Sequence, residues 1–308
     1  MSLTTPGNIS RNTSPNSAAP APKPELKPIP GMRKTVKITP AEVQLFSKYI
    51  YGLCGINIEA SKSYLLETRL GRMLENEKCD SFTTFYHKIK SDPSKKLEHQ
   101  MVDAMTTNET LFFRDTNPFE LLKHKILPEV FDRRMGKSGA IRIWSAACST
   151  GQEIYSIAIT LRELLGPTPT INLKLMGTDI SDAAIKQASY GVYNKFEIER
   201  GLPQERLQRY FSPSGETWRI KDEIRSMASF QKFNLMGSFA SLGKFDIIFC
   251  RNVAIYFTFE DRVKLFEKIA DVLEPDGYLI IGATESLTGV CPRFVPKRHL
   301  KAIFYQLK

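Results

Sequence analysis

Four groups of residues in this 308-residue chain have the types and spacing to do chemistry. The run Ser145-Ala146-Ala147-Cys148-Ser149-Thr150-Gly151 is uniformly small and separates an apolar stretch (Ile141, Ile143, Trp144) from a helical period (Ile154, Ile157, Ala158, Leu161, Leu164, Leu165). A strand that turns through small residues into a helix lets a ligand approach the backbone, and it aims free N–H groups and a positive dipole end at that ligand. Asp179 falls at the end of the next apolar run, where an acid can accept hydrogen bonds from the two hydroxyls of a ribose. Asn252 and Tyr256 follow a third such run, four residues apart, so a helical turn presents both to one side. Arg114, behind Phe112 and Phe113, stands where a helical segment gives way to the first strand and so overhangs the same turn.

The turn has neither the GxGxxG spacing of the dinucleotide fingerprint nor the GK[ST] of a P-loop. From Gly151 to Asp179 is 28 residues, longer than the usual interval of about 20, and the loop Gly166-Pro167-Thr168-Pro169 accounts for the excess. An N-cap role for Asp179 competes with Ser181 and Asp182, which cap as well. Cys148 and Cys250 sit in these stretches without a nearby histidine to activate a thiolate, and they read as small buried hydrophobes. His87, His99, His124 and His299 are scattered and fall in no motif.

Thr39-Pro40-Ala41-Glu42 is a capping box that opens a run of four helices, marked by Phe46 and Ile50, Leu66 and Leu70, Phe82 to Ile89, and Met101 and Met105. The second of these carries Lys62, Arg69 and Arg72 on or near one face. That face is either solvated or a docking strip for an acidic partner helix. The helical module spans 36–111 and the strand-rich part 112–308. Within the latter, short aromatic or alternating runs over about 208–233 read as a small antiparallel insertion. Residues 1–35 hold seven of the 18 prolines and few large apolar residues, so a disordered basic tail is expected.

The net charge of +10 suggests nucleic acid until it is divided, for residues 1–37 alone carry +5. Five widely spaced cysteines without a CxxC pair argue against a disulfide framework and a zinc site, and no metal is expected. No apolar run approaches the roughly 18 residues of a membrane span and no signal-like leader is visible, so a cytoplasmic protein without membrane insertion is expected.

The order of these stretches resembles the class I S-adenosylmethionine-dependent methyltransferases, an α/β Rossmann-like doubly wound sheet. More sharply, it resembles the CheR family of chemotaxis-receptor glutamate methyltransferases. The similar stretches are TNETLFFRD (107–115), SAACSTGQE (145–153), GTDIS (177–181), CRNVAIYF (250–257) and GATESL (282–287), in the family's order and with its helical module and β insertion. Gln152 and Ala283 depart from the family pattern. The resemblance implies that Glu153 meets the methionine amino end of S-adenosylmethionine, Asp179 the ribose, and Asn234 and Leu235 the adenine. Asn108, Thr110 and Arg114 line the site from the helical side, and Asn252, Val253 and Tyr256 lie near the transferred methyl. It also implies a chemoreceptor helical bundle as partner and a monomer as the working form. The hairpin loop 212–217 is short for the members that bind a receptor-tail pentapeptide, so no tether is expected.

A glutamate side chain, with an ordinary pKa near 4.3, arrives ionised and needs no general base. Its oxygen attacks the sulfonium methyl in line, leaving the protein to align and dehydrate. Arg114 is expected to hold that carboxylate and Tyr256 to supply a second donor. A base-methylating enzyme is the rival reading. The place after the fourth strand where such enzymes carry [DN]PP[YF] holds Asn252-Val253-Ala254-Ile255-Tyr256, without prolines. A regulator that binds the cofactor without transferring its methyl is the other, and the presence of Arg114, Asn252 and Tyr256 speaks against it.

Overall fold

The computed structural model describes residues 36–134, 139–166 and 171–308. The expected tail at 1–35 lies outside them. Helices α1 (Pro40–Cys54), α2 (Tyr64–Asn76), α3 (Phe82–Ser91) and α4 (Lys96–Met105) pack around Phe46, Leu66, Leu70, Phe82, Phe85 and Met101, all fully buried. The Thr39 capping box forms as read, with the Glu42 N–H donating to Thr39 Oγ1 at 3.3 Å and the Thr39 N–H to Glu42 Oε2 at 2.9 Å. Helices α5 (Asn117–Leu121) and α6 (Leu127–Arg134) are joined by a π-helical turn, 122–126, and lead into the sheet.

In chain order the remaining elements are β1 (Ile141–Ala146), α7 (Gln152–Leu165), β2 (Leu173–Asp179), α8 (Asp182–Tyr190) and β3 (Val192–Asn194). Next come two short helices, α9 (Lys195–Glu199) and α10 (Gln204–Tyr210), the hairpin β4 (Phe211–Ser214) and β5 (Thr217–Ile220), α11 (Asp222–Arg225) and β6 (Ala228–Lys232). The chain finishes with β7 (Phe245–Cys250), α12 (Phe259–Val272), β8 (Leu273–Ile281), β9 (Phe294–His299) and β10 (Ala302–Leu307).

Seven strands form the main sheet in the order β6-β2-β1-β7-β8-β10-β9. Those from β6 to β8 are parallel, and β10 and β9 close the far edge antiparallel. Apolar side chains cover both faces, with Ile143, Ile157, Ile247 and Phe249 in one layer and Trp144, Ile248, Leu265 and Leu279 in the other. Chain order reverses between β1 and β7. Register puts Ala146 beside both Thr178 and Cys250, so the carboxyl ends of β1, β2 and β7 stand side by side at that switch point, where open α/β sheets bind ligands.

The insertion differs from the expected 208–233. Its sheet is β3-β5-β4, reaching back to Val192, whereas 228–232 leaves it and pairs parallel with β2 as an edge of the main sheet. Ser229, Gln231 and Lys232 gave that strand a half-polar look because an edge strand is covered on fewer sides. β9 was invisible for the same reason. Its Pro296 and basic Lys297 and Arg298 suit only an edge.

Candidate active site

A cavity of about 430 Å³ opens at the switch point, floored by the strand ends and walled by the helical module. Its floor is a series of uncommon backbone conformations. Ala147 (φ 57°), Ser149 (φ 51°) and Asn252 (φ 57°) are all left-handed without being glycine, and Phe113 (φ 52°) and Asp115 (φ 66°) repeat this around Arg114. Such residues cost roughly 1–3 kcal/mol each and persist only where their surroundings hold them. Gly151 (φ 97°) serves packing. A Cβ there would lie 3.0 Å from Ala188 Cβ and from the Tyr193 hydroxyl, so its missing side chain admits α8 behind the turn.

Asp179 is buried, and each of its carboxylate oxygens accepts one backbone N–H, Oδ1 from Ser181 and Oδ2 from Ser149, both at 2.9 Å. The N-cap question is settled by Ser181, whose Oγ accepts the Ala184 N–H at 3.1 Å, leaving Asp179 to tie the end of β2 to the small-residue turn. Burial pushes its carboxyl above the ordinary value against those N–H groups. Each oxygen retains a lone pair, so two hydroxyls can still be accepted from the cavity.

Glu153, in the first turn of α7, is the hub of the floor. Its Oε1 accepts the Ser145 hydroxyl at 2.8 Å, and its Oε2 pairs with Arg251 at 2.9 Å. The Arg251 side chain is 2% exposed and also donates to Asp115 Oδ2 at 2.7 Å and to the Arg114 carbonyl at 2.9 Å. Sequence reasoning missed Arg251. The available signal was an arginine directly after the all-buried Phe245–Cys250, a place that no charge occupies without partners.

The other expected residues divide. Asn108, Thr110, Arg114, Glu153, Asp179, Asn234, Leu235, Asn252, Val253 and Tyr256 all line the cavity. Asn234, however, uses its side chain as a bridge, Nδ2 donating to the Leu53 carbonyl at 2.8 Å while Oδ1 accepts the Met236 N–H at 2.9 Å. Ile180, Phe233 and Leu235 supply the apolar wall beside it. Tyr256 is fixed from the helical module, its carbonyl accepting the Asn57 N–H at 3.0 Å. Lys62 and Arg69 also border the cavity, but Arg72 is exposed and does not. Arg69 is committed inside the fold, with bonds to the Met105 carbonyl (2.6 Å), the Thr106 carbonyl (3.3 Å) and Thr107 Oγ1 (3.0 Å). The three cations therefore do not form one free strip. Cys148 and Cys250 are buried, and burial drives both thiols well above their ordinary value, so neither is a nucleophile.

A parallel sheet with a small-residue turn after β1, an acid at the end of β2 and a cavity at the switch point is the plan of a nucleotide-binding α/β domain, the class I S-adenosylmethionine-dependent methyltransferases among them. The CheR methyltransferase SAM-binding domain matches residues 108–299, and the CheR all-alpha domain matches 41–106. The chain belongs to the CheR methyltransferase family. Chemotaxis protein methyltransferase Cher2 of Pseudomonas putida is 42% identical over 87% of this chain and 98% of its own length. Chemotaxis protein methyltransferases of Vibrio parahaemolyticus (41%; 89% of this chain, 99% of its own) and Pseudomonas aeruginosa (40%; 87% and 98%) are similar over comparable spans. This chain is thus a methyltransferase of chemotaxis with S-adenosylmethionine as its cofactor. The site fits that molecule, with spare acceptors on Asp179 for a ribose and on Glu153 for an ammonium, and an apolar wall for a purine. Among the described residues no group of His, Cys, Asp and Glu could hold a metal ion. None of the helices among them is long and apolar enough to cross a membrane.

Proposed function

We propose that the protein methylates the γ-carboxyl of glutamate side chains in the cytoplasmic helical bundle of chemoreceptors. The observation that carries this reading is the state of the cavity's own acids. Asp179 is held by backbone N–H groups, Glu153 by Arg251, Glu59 by Lys62 at 3.7 Å and Glu109 by Arg200 at 3.0 Å. With these four carboxylates engaged and no histidine among the described residues of the cavity wall, the site suits a nucleophile that arrives already ionised. Arg114 suits the same acceptor. Among the described residues its side chain makes one bond, Nη1 to the Glu109 carbonyl at 3.1 Å, so its remaining N–H groups can receive a carboxylate from the cavity it lines.

S-adenosylmethionine supplies the electrophilic methyl. Asp179 would hold the donor's ribose and Glu153 its ammonium, and Arg114 and Tyr256 would orient the incoming carboxylate oxygen. Orientation of this kind is worth several kcal/mol, on the order of 7–11 in the best cases. No receptor-tail tether belongs to this reading. The β4–β5 hairpin turns through two residues, and Pro213 on edge strand β4 removes a donor from the edge a tail would pair with. Incubation with methyl-labelled cofactor and receptor cytoplasmic fragments should give base-labile label on protein. Label on nucleic acid, or none, rejects the reading.

A further inference from the structure

The loop that carries Arg251, Asn252 and Tyr256 is held from behind by a side chain outside the cavity wall. Glu285, in the turn after β8, accepts two backbone N–H groups on Oε2, from Asn252 at 2.7 Å and from Gly282 at 2.8 Å. Asn252 is one of the left-handed residues of the floor, so an N–H-to-carboxylate clamp acts directly on a strained position. Position 282 is shaped around the same contact. A Cβ there would stand 2.5 Å from Glu285 Oε2 and 2.7 Å from Asn252 Nδ2. Glu285 Oε1 is enclosed and has no hydrogen-bond partner among the described residues, an arrangement that is expensive to keep for packing alone. Burial raises its pKa, while the N–H groups of Asn252 and Gly282 and the nearby charge of Arg251 favour the charged form.

We infer that Glu285 is a positioning residue for methyl transfer. It fixes residues 250–256 in the one conformation that brings Arg251 onto Glu153 and Tyr256 to the cavity mouth, and it touches neither donor nor acceptor. Turnover is read on receptor glutamates, so that arm rests on the proposed function; donor binding is read without any receptor.

The test is a double-mutant cycle on the full chain with Glu285→Ala and Gly282→Ala, since the second displaces the carboxylate that the first removes. Calorimetry with S-adenosylmethionine should give a Kd about 10-fold weaker for each single variant and no weaker for the pair. On receptor fragments, kcat should fall about 30-fold. Glu285→Gln, which keeps one acceptor oxygen, should return the donor Kd to within 3-fold of wild type. Should Glu285→Ala not fold, Glu285→Asp, whose shorter side chain withdraws the carboxylate from the Asn252 N–H without a new atom against Asn252, decides alone. Multiplicative losses in the pair, or a donor Kd within 2-fold of wild type in a folded single variant, overturn the inference. Wild-type protein that binds the donor yet labels no receptor defeats only the proposed function, and the cycle in Kd still stands.

Discussion

The floor and the lip of the cavity are built on opposite plans. On the floor every charge named is paired and the central ones are buried, with Arg251 against Glu153 and the more exposed Asp115, and Asp179 against two backbone N–H groups. On the lip, and among the described residues, Lys62 is exposed and salt-bridged only to Glu59 three positions before it, and Arg114 has one side-chain bond. The floor must hold one small molecule in one pose, so preorganisation is concentrated there. On the proposed function the lip captures and releases a receptor, which a water-screened cation can do without gripping the ground state.

The largest break in this contrast comes from the floor. Arg251→Ala leaves the largely enclosed Glu153 without its cation, which costs about 3–5 kcal/mol. Thermal unfolding should shift down by roughly 10 °C, and a shift within 2 °C would show that the floor is not a paired network. Asp179→Ala should weaken donor affinity about 100-fold, near 3 kcal/mol for two charge-assisted hydrogen bonds, as read by calorimetry. Arg114→Ala separates the two plans. Transfer should fall about 100-fold or more while melting temperature and donor Kd stay near wild type, so an equal loss in donor Kd would move Arg114 onto the floor. Salt gives the smallest effect. Raising NaCl from about 50 to 300 mM should lift the receptor KM several-fold and leave the donor Kd unchanged, because only lip charges lie within reach of screening.

The floor was the more legible of the two in sequence, for a physical reason. A buried strand end forces its neighbours to be small, apolar or paired, so 145–153 and 173–179 show the constraint residue by residue. Arg251 escaped because its partners, Glu153 and Asp115, lie 98 and 136 residues away. The lip was harder to read. Lys62, Arg69 and Arg72 share helical spacing, yet only tertiary contact tells that Arg69 is consumed by the carbonyls at the end of α4. Edge strands were equally opaque, since β6 and β9 lack the continuous apolar run that exposed β1, β2 and β7.

Residues 53 and 57 of the helical module are hydrogen-bonded to Asn234 and Tyr256, both of which line the donor cavity. The two modules are therefore a single binding chamber rather than an enzyme with an accessory. Removing the front hundred residues, or grafting a relative's helical head onto this sheet to redirect its receptor choice, would open the chamber's ceiling. Such chimaeras should keep their footing on the donor only if the seams around 234–236 and 256–257 travel with the head.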